Sequence, residues 1–336
     1  MVPMQSTPIP QLSVAPMIDW TDTHCRTFHR ICAPGALLYT EMIHANAILN
    51  GDRDKLLAKC ESQHPVAVQL GGSVPDALAG AAAICAAAGF DEINLNCGCP
   101  SDRVLAGRFG ACLMHEPALV ARLVSDMRAA VPAHVPVTVK CRLGVDDDND
   151  FDTFLAFIDT VAEGGCTDFV IHARNAWLKG LSPKENREIP PLKYDWAYRL
   201  KQLRPTLRIT LNGGISDLAS IQTHLAQLDG VMLGRAAYHT PYVLHEIDAA
   251  LHGGAVRTRA ALLESFRPYV QSKLAEGVPL PAMTRHILGL FQGEPGGRKF
   301  RQVLSEGAHQ AGADWSLVEA AMAAQAATAS DLYRIR

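Results

Sequence analysis

Short runs rich in β-branched and apolar residues recur along the first 240 or so positions, most of them ending in polar residues or glycine. They are LSVAPM (12–17), LLYTEM (37–42), VAVQLGG (66–72), EINLNCG (92–98), VTVKCRLG (137–144), FVIHAR (169–174), ITLNGGI (209–215) and GVMLGRA (230–236). Between most of them lie stretches whose apolar positions follow helical spacing, such as EPALVARLVSDMRAA (116–130). In SVPDALAGAAAICAAAG, Ser73 is a candidate N-cap, Pro75 falls in the first turn and Gly89 closes the helix. Eight strands alternating with helices over about 240 residues predict a parallel (β/α)8 TIM barrel of the α/β class. A doubly wound open sheet is the competitor; no Gly-x-Gly-x-x-Gly follows the first strand, and the strand number fits a closed barrel.

From about residue 250 onward the strand pattern stops. ALLESFRPYVQSKLAEG (261–277), AMTRHILGLFQG (282–293) and DWSLVEAAMAAQAATASDLYRIR (314–336) carry helical periodicity. They predict a small C-terminal all-helical domain, divided from the barrel near HGGAVRTR (252–259), so that residues 1–250 and 251–336 form two units. With 48% hydrophobic and 19% charged residues in 336, the chain has the composition of a soluble globular protein. No apolar run reaches the roughly 18 residues of a membrane helix. The start, MVPMQSTPIPQL, lacks the basic end and apolar stretch of a signal peptide, so a cytoplasmic location is expected.

Nine cysteines without regular spacing or a CxxC read as reduced thiols, and no metal site is expected. The net charge of −3 does not suggest a nucleic-acid binder. It is uneven, however: residues 250–336 hold ten Lys/Arg against seven Asp/Glu. A mildly basic tail on an acidic body points to a polyanionic partner, or reflects chance variation between two regions.

In such a barrel the chemistry sits at the C-terminal ends of the strands. Those ends are polar here: Ala15-Pro16-Met17, Gln69, Asn94 and Asn96, Lys140 and Arg142, His172 and Arg174, Asn212-Gly213-Gly214, Gly234-Arg235. Singly, each reads as a hydrogen-bonded structural residue or a solvated charge; together they recur at one level. Two glycine turns about 20 residues apart, each leading into a helix, suit a phosphate at the usual site of these barrels, or are two tight structural turns. Arg235 adds a charged donor. A phosphate there sets the rest of a ligand over the mouth, and flavin mononucleotide (FMN) fits. Lys140 would supply the positive charge near N1/O2 of the ring, Gln69 would bond the pyrimidine edge, and Ala15–Met17 would pack beneath.

These residues carry a resemblance. LSVAPMIDWTD, VAVQLGG, EINLNCGCPSDRV, GRFGACLM, VTVKCRLG, VIHARNAWLKGLSPKENREIPPL, LNGGI and MLGRAAY resemble, in order, the motifs of the flavin-dependent tRNA-dihydrouridine synthases. GRFGACLM, SPKENREIPPL and TRHILGLFQGEPGGRKFRQVLSE resemble the A-type bacterial subfamily. The resemblance implies an FMN-carrying barrel with a helical tRNA-binding domain. It implies that NADPH reduces FMN, that hydride passes from flavin N5 to C6 of a uridine, and that a cysteine protonates C5. For the A-type subfamily the targets are D-loop uridines 20 and 20a. Carried onto this chain, the general acid falls on Cys99. The FMN contacts fall on Ala15, Pro16, Met17, Gln69, Lys140, His172, Asn212, Gly213, Gly214, Gly234 and Arg235. Contacts to the D-arm of tRNA fall on Asn96, Lys184, Arg187, Arg298 and Arg301, with Arg174 offered by the same loop as Lys184. A monomer is expected.

The chemistry agrees. A thiol with an ordinary pKa of about 8.5 is mostly protonated at neutral pH and can still donate. In INLNCGCPSDRV, Cys97 ends a strand and reads as packed, whereas Cys99 follows the strand-breaking Gly98 and is stiffened by Pro100. A disulfide between them would close too tight a ring, and two thiols alone make a poor metal site. In the tail, GGRKFR (296–301) offers three cations with Phe300 free to pack or stack, or is a solvated helix start. A reductase of a free pyrimidine and a non-catalytic RNA-binding protein are the rival readings.

Overall fold

All eight expected strands form: Leu12–Val14 (β1), Leu37–His44 (β2), Val66–Gly71 (β3), Glu92–Cys97 (β4), Val137–Cys141 (β5), Asp168–His172 (β6), Arg208–Asn212 (β7) and Gly230–Leu233 (β8). Each pairs in parallel with the next, and β8 pairs with β1, which closes the barrel. The computed structural model describes residues 11–101, 104 and 107–334. The reading of the first ten residues as lacking an export signal lies outside these, as do positions 102 and 103 of the cysteine motif.

Most strands stop one to three residues before the β-rich runs do. Residues 15–17, 98, 142–144, 173–174, 213–215 and 234–236 therefore lie beyond the strand ends, at the C-terminal mouth. Alternation along the strands sorts the rest. Ile93, Leu95, Val137, Val139, Ile209 and Leu211 are fully buried in the large apolar cluster that includes the surrounding helices. Their neighbours Asn94, Asn96, Thr138, Lys140, Thr210 and Asn212 take the opposite side, inside the barrel. The base is closed by polar pairs: Glu92 accepts from Tyr39 OH at 2.5 Å and from Thr138 Oγ1 at 2.6 Å, and Arg208 lies 3.6 Å from Asp168.

The helices Pro75–Ala87 and Pro117–Ala130 begin on proline. The first has Val74 and not Ser73 at its N-cap, with no side-chain cap at all; the fixed φ of Pro75 makes the start instead. The tail folds as Pro241–His252, Arg259–Ala275, Leu280–Thr284, Gly297–Gly307 and Trp315–Arg334. The helix expected over 282–293 is shorter than its pattern. After Thr284 the chain runs in successive turns, with Leu290 N donating to Ile287 O and Gln292 N to Gly289 O, both at 3.0 Å. Gly289 lies so close to the segment after β8 that a Cβ would stand 2.1 Å from His239 O, so this stretch is shaped by packing. Leu262, Phe266 and Val270 belong to the same buried cluster as the barrel's outer face, with Phe266 5.2 Å from Phe28. Phe300 is fully buried against Phe291 at 4.7 Å: it packs, and is not available to stack on a base. No described helix is long and apolar enough to cross a membrane.

Candidate active site

Register places the polar side chains at shared heights. Gln69 stands opposite Asn94, Asn96 opposite Lys140, and His172 opposite Asn212. A chain of hydrogen bonds joins them to the barrel base. Gln69 Nε2 donates to Asn94 Oδ1 at 2.8 Å, and Asn94 Nδ2 donates to Thr138 Oγ1 at 2.7 Å, which itself reaches Glu92. Gln69 keeps one amide N–H and one lone pair free of these bonds.

Asn96 builds the cysteine loop. Its Oδ1 accepts from Gly98 N at 2.9 Å and from Cys99 N at 3.0 Å, while Nδ2 donates to Gln69 Oε1 at 3.1 Å and to Met42 Sδ at 2.9 Å. All four hydrogen-bonding positions of this amide are used, which leaves none over for RNA in this arrangement. The sequence placed Asn96 at the substrate; the structure places it beneath Cys99. Cys99 O accepts from Ala111 N at 2.9 Å, an approach that needs Gly110, whose φ is 74° and whose Cβ would lie 2.6 Å from that oxygen. The Cys99 thiol is partly exposed, 3.5 Å from Ser101 Oγ. Cys97 is fully buried, and burial pushes its thiol well above the usual range, so only one of the two sulfurs is placed for chemistry.

Three cations, Lys140, Arg142 and Arg187, lie near this thiol, and Arg174 joins them around His172. Lys140 Nζ donates to Asn212 Oδ1 at 3.0 Å, and burial, then the Arg142 guanidinium, pushes its ammonium down to about 7. Arg142 is buried and tied to backbone alone: Nε donates to Gly98 O at 3.1 Å, and Nη1 to Asn175 O at 3.3 Å and Asn186 O at 2.9 Å. It clamps the Cys99 loop to the loop after β6. Sequence reading noted Arg142 as a strand-end cation and gave it no role; its neighbour Lys140 drew the attention. Burial and these cations hold His172 well below its ordinary value, hence neutral at pH 7. Arg174 bonds Pro190 O, but its Nε is buried without a partner, as is Asn175 Oδ1 beside it. Burial and then Arg235 lower Arg187.

The two glycine turns behave differently. Gly213 and Gly214 have φ of 112° and 72°, and their missing side chains admit the His172 ring and Tyr194 OH, at 2.6 and 2.8 Å from a would-be Cβ. The helix Leu218–Leu225 that follows is already capped by Asp217, which accepts from Ser220 N at 2.8 Å, so its N-terminus is not turned over to a ligand. Gly234 leads directly into the helical turn Arg235–His239, and a Cβ there would meet nothing within 4 Å. Arg235 pairs with Glu188 in the loop after β6. Lys184 and Arg187 are exposed on that same loop. Arg298 and Arg301 are exposed on the tail helix Gly297–Gly307, and among the described residues no hydrogen bond or ion pair joins them to a mouth residue. Ala15 is buried inside the barrel and Met17 packs on the same small cluster, giving the mouth its apolar floor.

A flavin nucleotide fits these residues on observations of the structure itself. There is open space over Gly234, the mouth cations leave room for an anion, and a buried guanidinium nitrogen lacks an acceptor. If a flavin nucleotide occupies that space, Gly234→Ala should weaken its binding by tenfold or more, about 1.4 kcal/mol. Equal FMN affinity, measured by fluorescence titration, would move the phosphate elsewhere.

The fold and mouth define a (β/α)8 barrel whose C-terminal end carries the partly exposed Cys99 and a cluster of cations. The Dihydrouridine synthase (Dus) family profile matches residues 13–328. A protein of Xanthomonas campestris pv. campestris named tRNA-dihydrouridine(20/20a) synthase is 66% identical over 311 residues, covering 93% of this chain and 92% of that one. One of the same name from Vibrio cholerae serotype O1 is 54% identical over 316 residues, covering 93% and 96%. In fold alone, the chain is similar to a 2-naphthoyl-CoA reductase solved with 2-naphthoyl-CoA. The TM-score is 0.54 at 10% identity, over 73% of this chain and 50% of that one. This chain belongs to the dihydrouridine synthase family.

Proposed function

We propose that the chain is a tRNA-dihydrouridine(20/20a) synthase, which saturates the C5–C6 double bond of D-loop uridines with FMN as resident cofactor and NADPH as reductant. The observation that carries this reading is the identity of 66% across 93% of the chain to a protein of that name. The residues that would hold FMN are Ala15 to Met17, Gln69, Lys140, His172, Asn212 to Gly214, Gly234 and Arg235. A flavin held there would supply the hydride needed at C6 of the uridine.

The chain's own residues do the rest. Cys99 holds a proton on Sγ and delivers it to C5, and Asn96 keeps the loop in place by binding the Gly98 and Cys99 amides. Lys140, whose ammonium burial pushes down to about 7, would gain a proton more readily when an anion binds against it. His172 stays neutral and offers hydrogen bonds without charge. The target uridine must leave its stack to reach the mouth. Arg174, Lys184, Arg187, Arg298 and Arg301 would meet phosphates on either side of it. Residues 1–250 would then form the catalytic domain and 251–336 the tRNA-binding domain of a monomer acting in the cytoplasm.

Two measurements test this. The purified protein should be yellow and should reduce whole tRNA with NADPH but not free uridine; the reverse preference fits a free-pyrimidine reductase, and a colourless protein that takes up no FMN fits a non-catalytic RNA binder. Binding to tRNA should weaken with salt, with a log–log slope no steeper than about −4.5 for the five named cations. Salt-independent binding would remove the phosphate contacts.

A further inference from the structure

The turn after β1, which carries Met17, is held in place by the distant tail. Trp20 N and Thr21 N donate to Met17 O at 3.1 and 3.0 Å, and Met17 N donates to Thr21 Oγ1 at 3.0 Å. Within this turn Asp19 has a φ of 65°, a left-handed conformation uncommon for a residue other than glycine and one that the surroundings must hold. Asp19 N donates to the carboxylate of Glu41, within β2. Asp19 O accepts from Arg285 Nη1 at 2.8 Å. Arg285 lies 263 positions from Asp22 and pairs with it through its other nitrogen.

Asp22 gathers further contacts. It caps the helix Thr23–Cys32 by accepting from Cys25 N at 2.9 Å. It also binds His286 Nε2 at 3.1 Å. The His286 side chain is fully buried, and its Nδ1 has no partner. Together His286, Arg285 and the Cys25 amide hold the Asp22 carboxyl far below the usual range, against its own burial. Above this group Trp20 stacks on Tyr238 at 4.5 Å with rings 7° apart, and Tyr238 meets His286 edge-on at 5.8 Å. The β1 turn and the tail thus meet at one carboxylate, with the segment after β8 packed over them through Tyr238. A fold that needed only to seat the tail has other contacts for it, such as Phe266 on Phe28 and Tyr269 OH on His24 Nδ1 at 2.7 Å. The Asp22 contacts differ in gripping a turn whose backbone is bonded directly to Met17.

We propose that Asp22, Arg285 and His286 form a latch by which the tail sets the turn behind Ala15–Met17, so that retention of the cofactor depends on tail residues that never touch it. The three are positioning residues, and the inference rests on the reading that Ala15–Met17 lie against FMN. It couples the tail, on which Arg298 and Arg301 also lie, to the floor of the mouth.

The test uses the full chain and compares wild type with Arg285→Ala, Asp22→Asn, the double variant, Arg285→Lys and Arg267→Ala. Asparagine at position 22 retains the helix cap while removing the charge. Arg267→Ala breaks a tail ion pair with Glu319 that does not reach the turn. Two quantities are read: the FMN dissociation constant, and amide hydrogen exchange of residues 17–21 in the FMN-free protein. Arg285→Ala and Asp22→Asn should each weaken FMN by about fivefold or more and speed exchange, and the double variant should be no weaker than either single one because both open the same latch. Arg285→Lys should recover most of the loss, and Arg267→Ala should match wild type. FMN affinities of Arg285→Ala and Asp22→Asn within about twofold of wild type would overturn the latch, as would an equal loss in Arg267→Ala. If wild type itself binds no FMN, the cofactor reading fails; the exchange arm still decides whether the latch holds the turn, and unchanged exchange in Arg285→Ala refutes it.

Discussion

Cys99→Ala is expected to fold, bind FMN and be reduced by NADPH as wild type is, but to turn over tRNA about 10²- to 10⁴-fold more slowly. The split follows from position. Cys99 is partly exposed at the mouth, and its loop is held by backbone amides on Asn96 and by Gly110, not by the sulfur. Removing the sulfur therefore costs the fold little. On the proposed mechanism the proton destined for C5 would lose its donor, while reduction of the flavin would need no thiol. Stopped-flow reduction and single-turnover reaction with tRNA separate the two steps. Unimpaired tRNA turnover would take Cys99 out of the mechanism. The companion change, Cys97→Ala, touches a packed thiol, so it should cost stability and leave the ratio of the two steps as it was.

Arg142→Leu has the larger effect on the fold. The guanidinium is buried, bonds three carbonyl oxygens in two loops and has no salt-bridge partner among the described residues. Leucine fills much of the volume and leaves Gly98 O, Asn175 O and Asn186 O without their donor, at an expected cost of about 2–4 kcal/mol. The Cys99 loop and the loop after β6 then come apart, so kcat with tRNA falls even where FMN stays bound. Removing Arg142 also removes a repulsive charge beside Lys140, whose ammonium should move up from about 7 toward its ordinary value. The pH at which Lys140 loses its proton should rise with it, and two-dimensional NMR of the labelled lysine reads that shift directly. A fully stable Arg142→Leu with the wild-type loop geometry would show that the clamp is not needed.

Strand positions were readable because parallel barrel strands are β-rich on both faces and end in glycine or polar breaks. Their polar mouth was readable for the same reason: Gln69, Asn96, Lys140, His172 and Asn212 stand where a buried strand should be apolar. Cys99 stood out through the strand-breaking Gly98 before it and Pro100 after it. Arg142 was harder. It follows Lys140 by two, as if sharing its face, but β5 ends at Cys141 and the side chain turns aside to the loops. Asn96 was legible by its level, but not that its amide bonds neighbours inside the barrel and the Cys99 loop. The Asp22–Arg285–His286 contact leaves no local trace, because its partners are more than 260 positions apart. In the tail, helical periodicity continued past Thr284 where close approach at Gly289 bends the chain.

The most direct test of the account is a map of dihydrouridine in tRNA from cells lacking this gene. The account predicts loss at positions 20 and 20a, restored by the wild-type chain and not by Cys99→Ala. Loss confined to positions 16 or 17, or no loss at all, would contradict it.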